Sequence, residues 1–97
     1  MFSPEELSVP EVQVTTVTGM SLYVEWGPVR GATHYTLVVK EDIPTRPHRE
    51  VMAVYSEFTT VNDLKPSTRY CILLSAKNVR TQSLYSTPLC VTTGVSQ

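Results

Sequence analysis

Seven consecutive residues, Leu64-Lys65-Pro66-Ser67-Thr68-Arg69-Tyr70, constrain what this chain can fold into more than any other stretch. From the last of them onward, Tyr70, Ile72, Leu74 and Ala76 recur at every second position, which puts four apolar side chains on one face of a strand. Pro66 presets the backbone for a turn, so the chain reverses just before that strand begins. A leucine ahead of the turn and a tyrosine after it let a ring body sink into a core while its hydroxyl caps nearby backbone. Leu64, Pro66 and Tyr70 are therefore expected to build a corner with Tyr70 pointing inward.

The same period of two runs through the rest of the chain. Val12 and Val14 mark a first strand closed by a turn at Thr18-Gly19, and Leu22, Val24 and Trp26 mark a second, ended by Gly27-Pro28. Tyr35, Leu37 and Val39 make a third. Pro44 and Pro47 make residues 42–49 a loop or covered edge, because proline cannot donate to a sheet ladder. A fourth strand is predicted over residues 51–55 and a fifth over 59–64, with Thr59, Val61 and Leu64 inward. Residues 70–76 form the sixth, and Leu89 with Val91 marks the seventh. No segment carries a helical period, and seven short strands about 8–12 residues apart read as an antiparallel sandwich.

Ninety-seven residues make one domain with one modest core. Residues 1–9, with prolines at 4 and 10, read as a lead-in or linker, residues 10–94 as the domain, and 95–97 as a tail. Eight lysines and arginines against nine acids give a net charge of −1, so no global charge draws the chain to nucleic acid or an acidic membrane. No apolar run approaches the roughly 18 residues of a membrane span, and the start lacks the basic and then apolar regions of a signal peptide. The expectation is an excised fragment opened by an added Met1, monomeric, with no nucleic-acid partner and no direct membrane insertion.

An ordered set of residues now adds to this reading: Pro10, Trp26 followed by Pro28, Tyr35, Leu64-x-Pro66-x-Thr68-x-Tyr70, Ala76 with Asn78, and Ser86-x-Pro88 before Thr92-Thr93. Together they resemble the fibronectin type III domain over residues 10–93. The resemblance implies an all-β, immunoglobulin-like antiparallel sandwich of seven strands, in sheets A-B-E and C′-C-F-G. Trp26 would be its buried core tryptophan, with Tyr35 in the core beside it, and Tyr70 the tyrosine corner that opens strand F.

Type III domains generally lack a disulfide, and here the sequence departs from the pattern. Since Tyr70 and Ile72 point inward, Cys71 points to the outer face; the same parity at Leu89 and Val91 sends Cys90 outward. If Ala76 pairs with Tyr85, then Leu74 meets Thr87, Ile72 meets Leu89, Tyr70 meets Val91, and Cys71 falls opposite Cys90. Directly opposed residues on antiparallel strands lie roughly 4.5–5.5 Å apart at Cα, within reach of a disulfide. A Cys71–Cys90 bond is predicted; the alternative is a pair of free thiols in a reducing compartment. The bond carries an extracellular address with it.

Residues suited to catalysis are sparse. His34 and His48 have no nucleophile placed beside them by any motif, and Glu5-Glu6 and Glu41-Asp42 are adjacent pairs whose side chains diverge. No phosphate loop or metal cluster is present, and no cofactor is expected. Binding is better supported. In this fold the B–C and F–G loops share one end, so Arg30 approaches Arg80, with Gln82, Leu84 and Tyr85 close by in an exposed loop. A second candidate is the outer C-F-G face, where Val38, Leu73 and the cysteines form an apolar strip bordered by Thr36, Lys40, Ser75 and Lys77. Arg-Gly-Asp and Trp-Ser-x-Trp-Ser are absent, and neither Asn62-Asp63-Leu64 nor Asn78-Val79-Arg80 accepts an N-glycan.

Three functions compete. One is a structural and protein-interaction module in a tandem array of a secreted or cell-surface protein, with neighbouring domains or a protein partner. The others are a ligand-recognition domain of a receptor, and an accessory module of a parent enzyme such as a receptor tyrosine phosphatase or kinase. In none does this chain itself catalyse a reaction.

Overall fold

A computed structural model describes residues 7–45 and 49–95. Seven strands follow in order: β1 (Val12–Val17), β2 (Leu22–Trp26), β3 (His34–Glu41), β4 (Arg49–Val54), β5 (Phe58–Val61), β6 (Arg69–Lys77) and β7 (Leu89–Thr92). They form two antiparallel sheets, β1-β2-β5 and β4-β3-β6-β7, and no helix occurs among the described residues. The core is what alternation requires: Leu22, Val24 and Trp26 face Tyr35, Leu37, Val39, Ile72, Leu74 and Ala76 across the sandwich. Burial of these chains supplies the main favourable contribution to the fold.

The corner takes its expected form. Tyr70 is buried and its hydroxyl accepts the Lys65 N–H at 2.9 Å, while Leu64 packs half-buried against the core. Pro66 leads into Ser67, whose φ of 50° is the left-handed step that closes the turn. Thr93 pins the same turn from just beyond the last strand: its hydroxyl accepts the Thr68 N–H at 2.9 Å and donates to the Lys65 carbonyl at 2.6 Å.

Several boundaries differ from expectation: β5 runs Phe58–Val61 and stops three residues short of Leu64, β4 ends at Val54, and β6 gains Arg69 and Lys77 at its ends. Strand β4 begins at Arg49, two residues earlier than predicted; as an edge strand it pairs only with β3, and Lys40 opposite Arg49 extends the ladder to that point. Leu7, in the stretch read as a lead-in, is buried in the core cluster. Its Cδ2 lies 3.2 Å from where a Cβ would stand on Gly31, a residue with φ of 90°, so the glycine admits both the turn and the leucine. Gly19 serves a similar end, since a Cβ there would meet the Val95 carbonyl oxygen at 2.6 Å.

Candidate functional site

Strand β6 pairs with β7 through Arg69–Thr92, Tyr70–Val91, Cys71–Cys90 and Ile72–Leu89, and the two cysteines are joined in a disulfide. The register expected from parity holds this far. Above Ile72 it fails, and serine side chains are the reason. The Ser86 N–H donates to the Leu74 carbonyl while the Leu74 N–H donates to Ser86 Oγ at 3.0 Å. Ser83 repeats the arrangement on Ala76, accepting its N–H at Oγ at 2.9 Å and donating its own N–H to the Ala76 carbonyl. Each two-residue step along β6, from Ile72 to Leu74 to Ala76, is met by three residues on the partner, from Leu89 to Ser86 to Ser83.

Two extra residues therefore enter the connection, and the predicted pairs Ala76–Tyr85 and Leu74–Thr87 do not form. A backbone carbonyl that would have accepted from β6 is replaced by a hydroxyl of the same residue that donates its own N–H, and the extra residue at each clamp makes the chain bulge. Ser75, buried on the outer face, adds a further tie by donating to the Ser83 carbonyl at 2.9 Å.

The bulges decide where the candidate binding residues stand. Leu84 is 81% exposed and flanks a groove shared with Leu7, Val9 and Gln82. Tyr85, 41% exposed, turns the other way; expected beside the loop arginines, it instead lines a recess on the outer sheet face with Val38, Lys40, Arg49 and Leu73. The expected open apolar strip is corrected accordingly: Val38 is 3% and Cys71 5% exposed, and only Leu73 and Cys90 of its members remain partly open. Gln82 stays exposed while bridging Lys77.

At the end of the sandwich the two loops do meet, with Asn78 Nδ2 donating to the Gly31 carbonyl at 3.0 Å. Asn78 Oδ1 accepts the N–H groups of Arg80 and Thr81, a side-chain-closed turn that leaves Val79 95% exposed at the tip. Arg30 and Arg80 are both exposed at this end.

Tyr35 anchors the other loop. Its hydroxyl accepts the Val29 N–H at 3.1 Å and donates to Glu57 Oε2 at 3.1 Å, while the Trp26 N–H reaches the Glu57 carbonyl. Burial raises the Tyr35 pKa above its ordinary value; the Val29 N–H opposes that shift and the Glu57 carboxylate adds to it. Trp26 is edge-on to Tyr35 with ring centroids 5.3 Å apart, and its buried indole N–H meets no hydrogen-bond acceptor among the described residues.

Little here is arranged for chemistry. His34 stacks on Tyr55 at 5.1 Å and hydrogen-bonds Thr33; Glu41 pairs with Lys65 and Asp42 with Arg69. Asp42 with Cys71 and Cys90 brings three ligand-type atoms within 4.8 Å of one another, but the two sulfurs are bonded to each other and offer no thiolate. His48, Glu5 and Glu6 lie outside the described residues. Sequence reasoning missed Glu57 and Ser83, and it named Ser75 only as a border of the outer strip and Ser86 only within Ser86-x-Pro88, without the hydrogen bonds they make. Only the Ser83-x-x-Ser86 spacing held a signal, small hydroxyls falling where a strand should run.

The sequence model of the fibronectin type III domain matches residues 4–92. The chain belongs to the fibronectin type III family. Among solved structures it is similar to the type III domain of human collagen alpha-1(XX), at 20% identity and TM-score 0.84, covering 99% of this chain and 93% of that one. It is also similar to the twitchin kinase region of C. elegans, at 20% identity and TM-score 0.78, covering 92% of this chain and 17% of that one. The chicken CNTN1 FN1–FN3 domains match at 26% identity and TM-score 0.72, with 90% of this chain and 30% of that one covered. No curated protein matches the chain by sequence. The type III fold is generally a non-catalytic module of multidomain proteins, often in tandem arrays and engaged in protein interactions.

Proposed function

We propose that this type III domain is a protein-recognition module of a secreted or cell-surface multidomain protein, binding through the β6–β7 connection and the sheet face beside it. The observation that carries the reading is exposed apolar surface on a fixed backbone: Val79 and Leu84 are 95% and 81% exposed, on a segment held at Asn78, Ser83 and Ser86. Preorganised exposed side chains lose little entropy on binding, which favours recognition over mere spacing. The Cys71–Cys90 bond supports the extracellular setting.

The test is the parent protein carrying Leu84→Asp, or Arg30→Glu with Arg80→Glu, with its association with cells or matrix measured. Recognition predicts a loss of association while thermal unfolding of the domain stays cooperative and unshifted. A spacer would keep full association with every variant.

A further inference from the structure

Sorting the charges by face gives the net charge of −1 a structure. Strands β1, β2 and β5 contain no lysine or arginine, and Glu25 projects from their outer side, alternating with the buried Val24 and Trp26. The outer side of the other sheet is the reverse. Alternation with buried Tyr35, Leu37, Val54 and Ile72 assigns to it His34, Thr36, Val38 and Lys40 of β3, Arg49, Val51 and Ala53 of β4, and Leu73, Ser75 and Lys77 of β6. No carboxylate stands among them; Glu50 alternates to the other side, and Asp42, just beyond β3, is taken by Arg69 at 2.7 Å.

Within this cationic face Val38, Lys40, Arg49, Leu73 and Tyr85 enclose a recess of about 120 Å³. Sites for small molecules start at about 300 Å³, so the recess has room for one side chain. Its lining joins the apolar Val38 and Leu73, the ring of Tyr85, and two cations for which no ion pair occurs among the described residues. Val51, 59% exposed and paired with Val38, continues the apolar surface toward the sheet edge.

We infer that this face seats an extended acidic segment of a partner protein, one apolar side chain of which enters the recess while flanking carboxylates meet Lys40 and Arg49. Charge complementarity selects acids, and the apolar lining selects a polypeptide over a sulfated polysaccharide, which would leave Val38, Leu73 and Tyr85 without a partner. The inference rests on the reading of this surface as a recognition site and names the chemistry of its partner.

Fluorescence anisotropy with a short labelled peptide of alternating glutamate and leucine tests it on the folded, disulfide-bonded domain. The peptide should bind, and binding should weaken as salt shortens the screening length from about 10 Å at 0.1 M to about 3 Å at 1 M. Lys40→Glu with Arg49→Glu should weaken it about tenfold or more, and Tyr85→Ser should weaken it severalfold at unchanged salt dependence. Equal binding by a glutamate–serine peptide, by heparin or by anionic vesicles would show a bare electrostatic surface and overturn the proposal. If no peptide binds but Leu84→Asp still releases the parent, the acidic partner is overturned and the recognition module stands; if both are without effect, both fall.

Discussion

The two halves of the β6–β7 hairpin hold their strands together by different means. From Arg69 to Ile72 backbone pairs with backbone in one unbroken register, and the Cys71–Cys90 bond crosses it on the outer face. From Leu74 to Ala76 serine hydroxyls stand in for carbonyls, and the partner segment runs three residues for every two. The lower half is a fixed rung of the sandwich. In the upper half the same strand is given a connection whose extra residues, Leu84 and Tyr85, are free to face outward. Side-chain clamps thus satisfy the buried donors of β6, as burial demands, without forcing the neighbouring chain into strand geometry.

The sharpest way to break this comparison is to remove the bond. Replacing Cys71 and Cys90 by serine opens a loop with a sequence separation of 19, which in the chain-entropy account costs roughly 3 kcal/mol and lowers Tm by roughly 12–24 °C for a domain of this size. Hydrogen exchange should then quicken at Tyr70 to Ile72 while the clamped amides of Leu74 and Ala76 hold their relative protection. Uniform quickening would mean that the halves are one cooperative unit.

Ser83→Ala attacks the other half. It leaves the buried Ala76 N–H without its acceptor, an expected loss of about 2 kcal/mol by denaturant unfolding, with the disulfide intact by mass. Exchange should rise at Ala76 and not at Cys71. A neutral result would mean that water or the Leu84 region replaces the hydroxyl at once, and that the connection is looser than its hydrogen bonds imply.

This division also explains what the sequence could tell. Parity along Tyr70, Ile72, Leu74 and Ala76 was enough for the core, for the outward Cys71 and for three of the five pairings proposed for the hairpin, because backbone ladders repeat every two residues. It had no means of counting past Leu89, since a serine that accepts a hydrogen bond at Oγ changes the count without changing the composition. Parity therefore puts Tyr85 beside the loop arginines, whereas it shares a recess with Val38 and Leu73. Leu7 is hidden for a different reason: no alternation surrounds it, and it packs beside a glycine, Gly31, that is remote in sequence. Glu57 was invisible because its role comes from Tyr35, reached only after folding.

The two ends of the sandwich extend the comparison to a pair of tyrosines. Tyr70→Phe removes one acceptor, for the Lys65 N–H, and should cost about 1 kcal/mol without altering binding by the β6–β7 connection. Retained association of the parent with that variant would keep recognition at the clamped end; loss of association would spread it over the whole sheet.

Tyr35 should show itself through pH. In the fold its hydroxyl holds its proton beyond the ordinary value of 10.0, first because burial disfavours the phenolate and then because Glu57 stands beside it. The unfolded chain releases that proton near 10.0, so the stability tied to Tyr35 is complete below this pH and drains away as pH rises through the window above it. Tyr35→Phe should lower stability at neutral pH, by loss of the bonds to Val29 and Glu57, yet flatten the alkaline limb, so that the two denaturation curves converge as pH climbs past 10.0. Parallel curves would mean that the hydroxyl keeps contact with water on folding, and that the loop carrying Arg30 is anchored by Asn78 and Gly31 alone.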